Sequence, residues 1–249
     1  MPMSNDSLHQ SLLGLSVSQR ELVKAVIEQF GRPSRNRRDT NSDIVSEAVL
    51  ESLGDALRVH HAFSRQPLTK DRFEFAFERA LTLAGISSAL VETRTNRGHD
   101  MTIRDVPIGL KTEAAKGIKA DVIHVSKWME LGKGEWQLDL LLAHFLDHLK
   151  NYDRVLTLRC LKRGPIHYLY ELVEIPKAIL LRAKFARLEV RENSSQNPKP
   201  GYGYVTSDDG KPLFELYFDG GSERKLQIKK LSKTLCKVHA TWDFESAAI

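Results

Sequence analysis

The chain has 249 residues, 41% hydrophobic and 28% charged, with a formal charge of +5. That suits one substantial core, or one domain with a helical annex, and excludes a disordered chain or two full-sized domains. No apolar run approaches the roughly 18 residues of a membrane span, the start MPMSNDSLHQ lacks the order of a secretory signal, and Cys160 and Cys236 form neither a C-x-x-C pair nor a zinc pattern with histidine. The expectation is a cytoplasmic protein with reduced cysteines and no membrane partner.

Leu22, Val26 and Phe30 recur at helical spacing, as do Val45, Val49, Leu53 and Leu57, which predicts two helices in the first third. Between them GRPSRNRRDTNSD holds no amphipathic pattern, so residues 31–43 read as a basic linker or mobile arm. Ser42 or Asp43 is the expected N-cap of the second helix. Pro67 and Thr69 open a third, running to about Gly85 with Phe73, Phe77 and Leu81 as its buried stripe. From Ser88 the rhythm becomes period-two, with candidate strands at 89–93, 100–104, 107–113, 121–127, 153–161 and 166–174 and a helix over about 135–150. Pro176 opens a further helix, KAILLRAKFARL. After the loop ENSSQNPKPGYG, the runs YGYVTS, LFELYF and KLQI form a terminal β region, the first two separated by a turn at Asp208, Asp209 and Gly210. The pattern is a single α/β domain, with a helical N-terminal region over 1–66 and the core over 67–249.

Positive charge is concentrated rather than spread. GRPSRNRR at 31–38 carries four arginines and no acid, and SERKLQIKKLSK at 222–233 carries five basic residues against Glu223. Residues 94–119 set Arg94, Arg97, Arg104, Lys111, Lys116 and Lys119 against Asp100, Asp105 and Glu113. Any one of these is ordinary for a solvated face; three around one acidic constellation point to a polyanion.

That constellation is GHDMTIRDVPIGLKTE, residues 98–113. It reads as a hairpin with its turn at Asp105 to Pro107, so Asp100 on the first arm and Lys111 on the second come to the same end of the sheet. Phosphodiester hydrolysis uses such a pair: a carboxylate holds a hard, oxygen-seeking Mg²⁺, and an ammonium stabilises charge on the phosphate or orients the attacking water.

The arrangement resembles the PD-(D/E)XK nuclease superfamily with two departures. His99 stands where the pattern has proline, and Gly109 where it has the second acid. A longer resemblance, to the SmaI-type type II restriction endonucleases, runs from about Phe73 to Phe244 and is densest in GHDMTI, LKTEAAK, IHVSKWMELGKGEW, LVEIPK, PKPGYGYV and YFDGG-ERKLQIK. It implies a mixed central β-sheet flanked by helices, the restriction-endonuclease-like core, behind the helical N-terminal layer. It further implies a Mg²⁺-dependent homodimer that cuts double-stranded DNA at the palindrome CCCGGG to blunt ends, paired with a cognate DNA methyltransferase. The catalytic acid then falls on Asp100 and the lysine on Lys111. Rival readings are a repair or mobile-element nuclease of the same superfamily and an inactive DNA-binding regulator; intact Asp100 and Lys111 speak against decay.

Gly109 leaves the metal site short of one acid. Glu74 lies about 100° round its helix from Phe73, near the edge of the buried stripe, and is the expected donor, projecting into the space beside Asp100 that glycine leaves open. Leu110 joins Asp100 and Glu74 in the metal set, having only its main chain to offer. Glu113, two residues past the lysine, is the competing acid, whereas Glu78 reads as a surface charge. On the strand after the hairpin, Ile123 and Val125 alternate with His124, Ser126 and Lys127, so one face can meet phosphate; His124 is equally a partly buried, hydrogen-bonded histidine. A GC-rich target calls for arginine or lysine at guanine, and Arg94, Arg97, Arg224 and Lys225 are the candidates. Trp128 and Trp136 are expected in the core or at a dimer contact, and no serine sits in a nucleophile elbow.

Overall fold

The computed structural model describes residues 5–91, 98–115 and 117–247. Two helices lead, α1 (Asn5–Leu13) and α2 (Val17–Phe30), the second started by a reciprocal cap between Ser16 and Gln19. The apolar residues of α2 stay largely at the surface, Leu22 at 53% and Phe30 at 42% exposure. Its anchor is polar instead: buried Gln29 donates to the Glu245 carbonyl at 2.8 Å and accepts from the Ala247 N–H at 2.7 Å.

The stretch expected to be a linker carries a strand, β1 (Ser34–Arg38), antiparallel to the last strand with Ser34 opposite Phe244. β1 lies at a sheet edge with almost every side chain in water. An edge strand that buries neither face needs no apolar alternation, and this one has none. α3 (Glu47–Phe63) follows, capped by Ser46, which accepts the Val49 N–H at 3.3 Å, rather than by Ser42 or Asp43. Asp43 is held by Arg154 at 2.5 Å, which keeps its carboxyl down at about 2. Val49, Leu53 and Leu57 are buried in α3, and α4 (Lys70–Leu83) buries Phe73, Phe77 and Leu81 as its spacing predicts.

The remaining elements are β2 (Ser88–Leu90), β3 (Met101–Ile103), β4 (Val106–Glu113), β5 (Val122–Glu130), α5 (Leu138–His148), β6 (Arg154–Lys162), β7 (His167–Ile175), α6 (Lys177–Leu181), β8 (Arg187–Val190), β9 (Gly201–Thr206), β10 (Pro212–Asp219), β11 (Lys225–Ser232) and β12 (Lys237–Glu245). The helix expected from Pro176 is therefore shorter than its pattern. It passes through one 3₁₀ segment to Phe185 and gives way to β8. β12 was not foreseen.

Among the described residues, seven strands form a mixed sheet in the order β1-β12-β7-β6-β4-β3-β2, with β4 and β6 parallel and the other neighbours antiparallel. The other five form an antiparallel sheet, β5-β11-β10-β9-β8. Helices α3 and α4 pack on one face of the larger sheet, against Ile108, Leu110, Leu156, Leu158, Leu172 and Trp242. Its opposite face contributes Val155, Val173 and Ile175 to a second core, built with α5 and the smaller sheet. Covered on both sides, β6 and β7 are buried almost end to end, as expected of a central strand. α3 shares its core with β12 across nearly the whole chain. Both cysteines are free, and no helix among the described residues is long and apolar enough to cross a membrane.

Candidate active site

The β3–β4 hairpin forms as read, with its turn one step earlier. Arg104 and Asp105 take φ of 49° and 65°, the left-handed pair of a type I′ turn, and Val106 and Pro107 already belong to β4. Asp100 continues the pairing beyond β3, its N–H donating to the Ile108 carbonyl at 2.9 Å. One carboxylate oxygen, Oδ2, accepts the Leu110 N–H at 2.6 Å. Lys111 Nζ lies 3.9 Å from the same oxygen. Acid and base thus meet at the hairpin mouth despite the ten residues between them.

α4 brings the other carboxylate. Lys70, its first residue, sends Nζ to within 2.6 Å of Asp100 Oδ1 and 2.7 Å of Glu74 Oε1, so one ammonium touches both acids. Lys70 went unremarked in the sequence; the i,i+4 spacing to Glu74 was the available signal. Burial works against the Lys70 charge, but Asp100 and Glu74 outweigh it and its pKa rises. At Lys111 burial wins: its ammonium, 10% exposed, is drawn below the usual lysine range, with Asp100 opposing and Lys70 reinforcing the shift. Lys111 Nζ also lies 5.6 Å from the centre of the Trp128 ring. Trp128 is buried, as expected, and donates its Nε1–H to Tyr152 Oη at 3.0 Å.

Two expectations need correction. The space left by Gly109 is not open to a carboxylate: the Tyr152 ring fills it, with Cγ 3.4 Å from where a Cβ would sit. Glu74 joins the site through Lys70, which also holds Asp100. Glu113, the competing ligand, is removed from the site. It is 3% exposed, paired through Oε2 with Arg159 Nε at 2.5 Å, and accepts the His124 N–H through Oε1 at 2.9 Å. Glu78 accepts from Thr82 Oγ1 on its own helix at 3.3 Å.

A cleft of about 330 Å³ opens over Lys70 and Lys111, lined also by Thr112, Ser126, Lys127, Trp128 and Met129. Ser126 and Lys127 are both exposed because β5 is irregular there, its register with β11 shifting between Val125 and Met129. His124 is half-buried, its Nε2 3.2 Å from Gln227 Oε1. Arg224, at positive φ, stacks over Trp136 at 5.5 Å, and Lys225 pairs with Glu223 at 2.9 Å, opposite Glu130 of β5. These two stand at the Glu130 end of the β5–β11 pair, next to Met129 of the cleft lining but not among the residues that line it. Arg94 and Arg97 lie outside the described residues.

The acids converging on Lys70 are hard oxygen donors, and Lys70 itself lines the open cleft. Among the described residues no cluster of three or more His, Cys, Asp or Glu side chains is placed to hold a metal. Two carboxylates still suit Mg²⁺, which keeps several waters and is commonly held by one or two carboxylates plus phosphate oxygens of the substrate.

A mixed sheet with α3 and α4 packed on one face, carrying an acid and a largely buried lysine on the β3–β4 hairpin, defines the restriction-endonuclease-like class. A sequence model of the SmaI family, described as type II site-specific deoxyribonuclease, matches residues 8–244, so the chain belongs to that family. The type II restriction enzyme SmaI of Serratia marcescens is 55% identical to it over 205 residues, 82% of this chain and 83% of that one. No solved structure matches the chain.

Proposed function

We propose that the chain hydrolyses both strands of duplex DNA at the palindrome CCCGGG, cutting at its centre to leave blunt ends, with Mg²⁺ as cofactor. The observation that carries this reading is that Asp100 and Glu74 converge on Lys70 with Lys111 beside Asp100, both lysines lining one open cleft. Asp100 and Glu74 would hold the metal, with the Leu110 carbonyl, which leaves its strand on the same side as the N–H bound to Asp100. Bound there, Mg²⁺ supplies charge neutralisation at the scissile phosphate and a bound water of lowered pKa. Lys111 meets charge developing on that phosphate; its partial desolvation strengthens the interaction. Ser126 and Lys127, on the cleft wall, take flanking phosphates, with His124 beside them. Arg224, Lys225, Arg94 and Arg97 are the donors left for guanine edges or the backbone.

A palindrome cut in both strands is matched by two-fold protein symmetry, so the working form is a homodimer. It acts in the cytoplasm beside a methyltransferase that protects the host's own sites. Digestion of a sequenced plasmid with Mg²⁺ tests the reading: discrete blunt-ended fragments mapping to CCCGGG are expected. A smear or structure-selective nicking would overturn the site specificity, and discrete cuts elsewhere the assigned sequence.

A further inference from the structure

Lys70 bridges the two acids of this site. Its Nζ occupies a point within contact distance of one oxygen from each acid, a position from which a divalent ion would touch both. Asp100 and Glu74 are 21% and 20% exposed, too sheltered for water alone to offset two negative charges held this close. Mg²⁺–oxygen distances are about 2.0–2.1 Å, so an ion bound between these two oxygens would overlap the point the ammonium holds. Lys111 cannot serve as the displaced group, since it is 10% exposed and stands 3.9 Å from Asp100, over Trp128. Lys70 is 38% exposed, sits on the first turn of α4 just after Thr69, and already lines the cleft with Lys111 and Lys127.

We propose that Lys70 is a resident counter-ion of the metal site, neutralising Asp100 and Glu74 until a divalent cation displaces its ammonium into the cleft, where it is free to hold a DNA phosphate. The inference rests on the metal-site reading above. It gives the exchange a direction: metal entry releases a lysine toward the substrate, and DNA in the cleft favours the released state, so metal and DNA assist each other's binding.

The test is Mn²⁺ binding to the full-length protein without DNA, followed calorimetrically and by electron paramagnetic resonance. Lys70→Met removes the competing charge and keeps the apolar stem; Lys70→Gln is the second variant, should the first fold poorly. Each is expected to bind Mn²⁺ roughly tenfold more tightly than the parent. Each should also unfold at a lower temperature than the parent without metal, and gain more stability from Mn²⁺. DNA should tighten Mn²⁺ binding in the parent and do so less in the variants. Asp100→Asn separates two kinds of failure. If Mn²⁺ binding is lost in Asp100→Asn but unchanged or weaker in both Lys70 variants, the counter-ion role is refuted and the metal site stands. If Asp100→Asn binds Mn²⁺ like the parent, the metal site is misplaced and the proposal falls with it.

Discussion

Arg159 offers the sharpest test of how the hairpin is wired into the fold. It is fully buried in β6, with Nε 2.5 Å from Glu113, Nη1 2.8 Å from Glu171, and Nη2 donating to the Lys119 and Val122 carbonyls at 2.7 and 2.8 Å. Arg159→Met keeps an apolar stem and leaves Glu113 with no salt-bridge cation among the described residues, in a core where Glu171 keeps Lys233, at 2.8 Å. Removing one partner of a buried pair costs about 3–5 kcal/mol. Because Lys233 still covers one carboxylate, a loss of about 3 kcal/mol is expected, or about 6–12 °C in melting temperature at this chain length. Urea unfolding at pH 7, followed by circular dichroism and checked by calorimetry, measures it. Glu113→Gln is the companion: it weakens the same pair by about 1–2 kcal/mol, while the folded enzyme keeps its cleavage rate and Mg²⁺ requirement. A loss under about 1 kcal/mol in Arg159→Met would refute the buried-pair energetics. A raised Mg²⁺ requirement in Glu113→Gln, with stability intact, would return Glu113 to the metal site.

Lys111→Ala should lower single-turnover cleavage at least about 100-fold while DNA affinity in Ca²⁺ changes little, because the ammonium acts on charge at the reacting phosphate; near-normal turnover would mean the hairpin has another role. Gly109→Glu restores the acid of the superfamily pattern but must displace the Tyr152 ring, 3.4 Å from the new Cβ. It should cost about 1–3 kcal/mol without lowering the Mg²⁺ needed for cleavage, and enhanced cleavage at low Mg²⁺ would show that the position does accept a ligand. Burial holds the His61 imidazole down from 6.5 to about 4, with Nδ1 on the Ser64 carbonyl and Nε2 on Tyr170. The unfolded chain takes up this proton first, so this residue's contribution to stability is intact above pH 6.5 and is lost as the pH falls towards 4, by about 3 kcal/mol in all. A nuclear magnetic resonance titration placing His61 near 6.5 in the folded protein would contradict this.

Much of this was legible in local sequence. The α4 stripe of Phe73, Phe77 and Leu81 follows from helical periodicity, and the hairpin from alternation around a turn, so Asp100 and Lys111 could be paired before any fold was known. Edge Glu74 was placed correctly near them, although the route through Lys70 was not. β1 escaped because an edge strand need not alternate; β12, whose buried Ala240, Trp242 and Phe244 do alternate, was missed although that signal was present, and its pairing with β1 joins distant parts of the chain.

What only the tertiary structure decided is which neighbour each polar group has. Gly109, Lys111 and Glu113 alternate along one strand, which by periodicity gives all three the same face. In the fold Gly109 meets Tyr152, Lys111 faces the cleft and Glu113 is claimed by Arg159. Local periodicity sets the face of a strand on which a side chain lies, because successive residues point to opposite sides. Whether that side chain meets a ring, a cleft or a counter-charge depends on segments tens of residues away, whose register is set by packing of the whole core.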